Sequence, residues 1–215
     1  IMVARVDMCV DIPCERIPAI QKMSIRKVYS AGKVVVTATQ MIESMITNPR
    51  PTRAEITDVA NAIYDGTSAI MRSGETAMGA HPVEAVQTMA SIAATTEEDI
   101  DYKVRFSNVY PAPLTKNITS AIGHATVTTA HDLGAAAIVT VTQSGTTARM
   151  ISKYRPDVPI IGATTEEKVL HQLMLSWGVV PVRCVRQDNT DALFDHAVEV
   201  GRTTGLIHPD DIVVI

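Results

Sequence analysis

Apolar residues fall into two alternating rhythms along the first hundred positions. Residues 1–5, 34–39 and 69–71 are short runs apolar at successive positions, and between them apolar residues recur every three or four positions near 18–31, 52–65 and 82–96. Runs of the first kind suit strands covered on both faces, and stretches of the second kind suit amphipathic helices. Gly32 and Gly66 stand where two of the helices should stop. Thr52 and Glu55 have the spacing of a capping box, ahead of a stripe formed by Ile56, Val59, Ala60 and Ile63. The third helix carries Val83, Val86 and Met89 on one side. This is strand then helix three times over, the rhythm of parallel βα units.

Residues 99–113 interrupt the pattern with charges and Tyr110, Pro111, Ala112 and Pro113, as a linker would. Alternation then resumes: helix 116–133, strand 136–141, helix 147–154, strand 159–162, helix 166–177, strand 179–183, helix 191–205 and strand 211–215. The fold class is therefore α/β, with residues 1–98 as one domain, 99–113 as a linker and 114–215 as a second domain, an open doubly wound sheet with helices on both faces. Three βα units cannot close a barrel and would leave long unpaired edges. The last three units of a (β/α)8 TIM barrel account for the shortfall, and the start at Ile1, already inside a strand, reads as part of a longer protein.

Composition narrows the function. The formal net charge is −4 and no block of like charge exceeds Glu97, Glu98 and Asp99, so no nucleic-acid or anionic-membrane footprint is visible. No apolar run reaches the length of a membrane span. Three scattered cysteines, Cys9, Cys14 and Cys184, form neither a disulfide framework nor a zinc cluster. These features predict a soluble protein in a reducing, cytoplasmic setting. Cys14 and Cys184 read as small buried hydrophobes, the ten methionines as packing material, and the six histidines, which show no metal-ligand spacing, as surface or satisfied helix residues.

In barrel enzymes the reactive groups lie at the C-terminal ends of strands, which directs attention to residues 5–9, 39–43 and 72–76. Each place holds polar residues: Arg5 and Asp7; Thr39; Ser73 and Glu75. In the second domain, strand 136–141 runs into Thr142, Gln143, Ser144, Gly145, Thr146 and Thr147 and then a helix. A hydroxyl-rich glycine turn at a helix N-terminus attracts phosphate, and its serine and threonines are equally the preferred residues for a plain N-cap.

The stretches ATQMIESMITNPRPTRAE (residues 38–55) and SGETAMG (residues 73–79) resemble the C-terminal part of pyruvate kinases, and MVARVDMCVDIP (residues 2–13) is similar to the segment MVARGDLGVEIP of that family. The resemblance implies transfer of phosphate from phosphoenolpyruvate to ADP in glycolysis, giving pyruvate and ATP, with Mg2+ or Mn2+ and K+. It implies that Asp7 binds the divalent metal, that Arg5, Val6, Asp7 and Thr39 line the substrate, that Thr39 places or protonates the enolpyruvate carbon, and that Ser73 and Glu75 hold a proton-relay water network. Phosphoryl transfer between anions needs cations and fixed dipoles, so a carboxylate at a strand end suits the chemistry. The loop 142–147 matches the family's binding site for the phosphate of an activating sugar phosphate, and the family forms homotetramers. Its essential lysine, second metal carboxylate, potassium ligands and lid domain would all precede Ile1.

Three positions depart from the pattern. Val6 and Cys9 stand where the family has glycine, which affects the approach of backbone amides to the substrate carboxylate, and Arg72 replaces a leucine before SGET. The rival reading is a non-catalytic pseudoenzyme or assembly module that keeps the sugar-phosphate loop.

Overall fold

The structure, a computed structural model, describes residues 1–109 and 117–215. It divides into two units, Ile1–Ile100 and Asp101–Ile215. In the first, β1 (Met2–Ala4), β2 (Val36–Ala38) and β3 (Ala69–Met71) form a parallel sheet in that order. The register pairs Ala4 with Ala38 and Ala38 with Met71. The next residues, Arg5, Thr39 and Arg72, therefore leave the sheet side by side at its C-terminal edge.

The strand expected over residues 1–5 ends at Ala4, and α1 (Arg5–Asp11) begins directly. None of its residues is buried, so no apolar stripe announces it. A 3-10 turn at Cys14–Arg16 leads into α2 (Ile17–Ser30), with Pro18 in its first turn. Cys14 is exposed and bonded to Cys9 as a disulfide, which corrects its reading as a buried hydrophobe; Cys184 is buried.

Helix α3 (Arg53–Asp65) opens on the predicted capping box: Thr52 Oγ1 accepts from Glu55 N (3.3 Å), and Glu55 Oε2 accepts from Thr52 N (2.7 Å). The same carboxylate accepts from Ser44 N (2.8 Å) and Ser44 Oγ (2.5 Å), which ties the helix start to the loop after β2. Partial burial pushes the Glu55 pKa up, but the hydrogen bonds from Ser44 and Thr52 outweigh it and hold the carboxyl below its usual range. Met41, Ile42 and Met45 from that loop then pack with Val59, Ala62 and Ile63 of α3 and with Ala85 and Met89 of α5 (Pro82–Asp99). Between β3 and α5 lies a single short helix, α4 (Gly74–Ala77).

In the second unit, α6 (Tyr102–Val109) occupies most of the expected linker, and its Phe106 is buried in the core; residues 110–113 of that linker lie outside the described residues. The parallel sheet has the order β6 (Val179–Arg183), β5 (Ile160–Thr164), β4 (Ala137–Val141), β7 (Val213–Val214). Along β4, Ile138 faces one core with Val127 and Ala130 of α7 (Ile118–Leu133), Ala148 and Ile151 of α8 (Thr146–Ser152) and Leu173 of α9 (Glu167–Leu173). Ala137 and Val139 face the other, with Ala197 of α10 (Thr190–Arg202). A sheet covered on both faces explains why its strands read as continuous apolar runs. Among the described residues no helix is long and apolar enough to cross a membrane.

At the end of α7, the His131 side chain is only 8% exposed, and its Nε2 lies 3.2 Å from the Asp157 amide and 2.9 Å from Asp157 Oδ1. Burial and the Lys103 ammonium depress its pKa, and the nearby carboxylates of Asp157 and Asp132 oppose them without prevailing. A histidine whose folded pKa lies below its unfolded value contributes stability that is present above the unfolded value of 6.5 and lost as pH falls through the folded one. Urea unfolding of the second unit, followed by the single tryptophan, Trp177, is expected to show stability declining as pH drops below that value. His131→Gln should flatten the decline; a wild-type profile that rises on acidification would contradict it.

Candidate functional site

The C-terminal edge of the first sheet is organised by Arg5. Its guanidinium donates to Thr39 O through Nε (3.1 Å) and Nη2 (2.6 Å), to Gln40 O (3.0 Å) and to Met41 Sδ (2.9 Å), and Nη1 pairs with Asp58 Oδ2 of α3 at 2.5 Å. These bonds hold a backbone that non-glycine residues seldom adopt, with φ of 71° at Thr39 and 50° at Gln40. The strand expected through Thr39 stops at Ala38 for this reason. Thr39 Oγ1 accepts from Val6 N (3.2 Å) and donates to Ala38 O (2.7 Å). Thr39 is thereby fixed by both residues that begin α1.

Glu75 is 2% exposed, and its carboxylate spans two segments: Oε2 accepts from Ser73 N (2.7 Å) and Oε1 from Ile42 N (3.3 Å). The loop after β2 is thus held from one side by Glu55 through Ser44 and from the other by Glu75 through Ile42. Ser73 is exposed, as is Asp7 in the first turn of α1. Arg72 Nε is buried without a hydrogen-bond partner among the described residues.

In the second unit, Gly145 stands at the N-cap of α8 with φ of 76°. A Cβ there would meet Arg149 Nη1 at 2.6 Å and Val169 Cγ1 at 3.1 Å, so the position requires glycine. Thr142 is buried, Gln143 is exposed, and the Ser144 and Thr146 hydroxyls are bonded to each other (2.9 Å). Arg149, one turn into α8, folds back so that Nη2 donates to Ser144 O (3.1 Å) and Thr146 Oγ1 (3.3 Å). Thr147 instead borders an apolar cleft with Ile122 and Met150. Thr142 and Gln143 line a cavity of about 670 Å³ at the C-terminal ends of β4, β5 and β6, together with Thr164, Thr165, Arg183 and Arg186.

The family model for the pyruvate kinase barrel domain matches residues 1–86, and that for the pyruvate kinase alpha/beta domain matches residues 120–215. The chain belongs to the pyruvate kinase family. It is 50% identical over 215 residues to the pyruvate kinase of Clostridium acetobutylicum, covering all of this chain and 45% of that protein. It is likewise 50% identical to that of Geobacillus stearothermophilus, of which it covers 36%. A crystal structure of a pyruvate kinase from Cryptosporidium parvum superposes with a TM-score of 0.92 at 43% identity, over 99% of this chain and 43% of that one. The chain thus spans less than half the length of these relatives.

Pyruvate kinases usually use Mg2+ and K+. Among the described residues no three histidine, cysteine or acidic side chains cluster to hold a metal ion. Asp7, an exposed carboxylate just past the end of β1, is of the side-chain type that can take one place on such a cation.

Two residues that brace these loops were not read from sequence. Asp58 lies 53 positions from Arg5 and carried no local signal. Arg149 did have one, since it falls one helical turn beyond Gly145 and such a side chain can reach back over the N-terminus.

Gly79 offers a test of how tightly Glu75 is held. A Cβ at Gly79 would lie 2.4 Å from Glu75 O, a backbone atom, so Gly79→Ala must displace the segment that carries the buried carboxylate. The expected cost is about 1–3 kcal/mol in urea denaturation followed by far-UV circular dichroism. Exchange of the Ser73 amide should accelerate with it. Unchanged stability and unchanged exchange would show that the loop yields freely.

Proposed function

We propose that the first unit carries part of a pyruvate kinase active site, in which the residues at the sheet's C-terminal edge act on phosphoenolpyruvate and ADP. The observation that carries this reading is the Thr39 hydroxyl, fixed at a strand end by Val6 N and poised by two left-handed residues that Arg5 clamps. A hydroxyl so held can deliver a proton to the enolpyruvate carbon once its hydrogen rotates off Ala38 O. Arg5 contributes by positioning, because its guanidinium is committed to Thr39, Gln40, Met41 and Asp58. Val6 N likewise supports Thr39. Exposed Asp7 would help hold the divalent cation, which when bound would neutralise charge on the transferring phosphoryl group. Buried Glu75 orders the backbone at Ser73 and Ile42, and the exposed Ser73 hydroxyl is available to water in the proton path. The whole enzyme is proposed to be a cytoplasmic, glycolytic homotetramer.

Joining this chain to the remaining N-terminal portion of the Clostridium acetobutylicum relative gives a direct assay, with pyruvate formation coupled to lactate dehydrogenase. The hybrid should turn over with Mg2+, and Thr39→Val should lower turnover by roughly 10²–10⁴, the usual contribution of a positioned proton donor. Asp7→Asn should abolish the response to Mg2+. The unjoined chain should be inactive. A folded, inactive hybrid, or turnover by the unjoined chain that disappears in Asp7→Ala, would overturn the reading.

The second unit is proposed to bind a sugar-phosphate effector, in support of which the cavity beside Thr142 and Gln143 is lined by Arg183 and Arg186 against a single carboxylate, Glu166. Arg149, one turn into α8, braces Ser144 and Thr146. Amide shifts at residues 142–147 should move on addition of fructose 1,6-bisphosphate or ribose 5-phosphate with millimolar affinity, roughly 4 kcal/mol. Gly145→Ala should remove the response. No shift with these ligands or with sulfate would leave the loop as a helix cap.

A further inference from the structure

Cys9 lies on α1 and Cys14 in the following 3-10 turn, five positions apart with Cα atoms 4.9 Å from each other, a separation that a disulfide bridges without backbone movement. The two sulfurs are bonded. Cys14 is exposed and Cys9 half-buried, so small reagents can reach the pair, whereas Cys184 is buried and its thiol pKa is pushed up by that burial. A bridge closing so short a loop restricts the unfolded chain less than one across a long loop, which leaves room for a purpose besides stability. Its placement suggests one. Helix α1 buries no residue, and Arg5 and Val6 tie its N-terminal end to Thr39. Its C-terminal end closes with Ile12 N on Met8 O, and the bridge spans that end.

We propose that Cys9 and Cys14 are a reversible thiol–disulfide modification site, made and broken by exchange with low-molecular-weight disulfides and thiols, that fixes the C-terminal end of α1. In the forward direction the Cys14 thiolate attacks one sulfur of the small disulfide and expels one thiolate, leaving a mixed disulfide. The Cys9 thiolate then attacks the Cys14 sulfur and expels the second. Two protein thiols lose two electrons and two protons, and one small disulfide becomes two thiols. In a reducing compartment an accessible bridge of this kind is transient, as sensing disulfides are. The exchange is independent of turnover at Asp7 or Thr39.

The full chain is equilibrated with reduced and oxidised glutathione in varied ratio, alkylated with iodoacetamide and digested with trypsin, which releases both cysteines on one peptide, residues 6–16. The expected result is a doubly alkylated peptide under reduced glutathione and an unalkylated, internally bridged one as oxidised glutathione rises. Amide exchange across residues 5–12 should slow by about tenfold in the bridged form. Cys9→Ser should instead accumulate a glutathione adduct at Cys14, for want of a resolving thiol. Full alkylation under oxidised glutathione alone would overturn the site, and bridging that leaves α1 exchange unchanged would overturn the tether.

Discussion

Thr39 and Gln40 occupy the left-handed region in succession, and for residues with a Cβ each such conformation costs on the order of 1–3 kcal/mol unless the surroundings impose it. The Arg5 guanidinium imposes it. A planar group with several fixed donors can take two successive carbonyls and a carboxylate at once, which a lysine ammonium cannot do from one position. Arg5 can reach them because the register of β1 against β2 sets it beside Thr39, and it stays there because Asp58, on α3, balances its charge in a partly buried place. The orientation of the Thr39 hydroxyl, the start of α1 and the exposure of Asp7 all follow from that arrangement.

The same logic of bracing recurs at two neighbouring places. Glu55 closes the capping box of α3 and also holds Ser44, while buried Glu75 holds Ser73 and Ile42. Glu55 reaches from the start of α3 back to Ser44, and Glu75 reaches across 33 positions to Ile42, so the loop after β2 is pinned from α3 and from the segment that follows β3. In the second unit the cation plays this part: Arg149 returns from α8 to the loop that precedes it, and Gly145 supplies the space that lets it do so. These cross-links act together with the burial of Met41, Ile42 and Met45 in holding the loop after β2.

How much of this was legible depended on whether the signal was local. The capping box at Thr52 and Glu55 was readable because both partners lie within one turn, and the parallel sheets because strands covered on both faces are apolar at successive positions. Helix α1 was not, since a helix that buries nothing carries no periodic stripe. Helix α6 was hidden for a related reason: Phe106 is its one buried residue, so its apolar positions form no periodic stripe. The left-handed turn at Thr39 and Gln40 had no glycine to mark it, and its cause, Arg5, sits 34 positions away. The Cys9–Cys14 pair was close in sequence, but a count of three cysteines in a chain without a disulfide framework pointed the other way.

The clamp itself is open to direct measurement by nuclear magnetic resonance, through the backbone chemical shifts and amide couplings of Thr39 and Gln40 in the native chain and in Arg5→Lys. Left-handed values at both residues in the native chain, lost in the variant together with the hydrogen bond of the Val6 amide, are the result this account predicts. Left-handed values that persist unchanged in a folded Arg5→Lys chain would mean that the loop holds its own shape and that Arg5 does not organise the site.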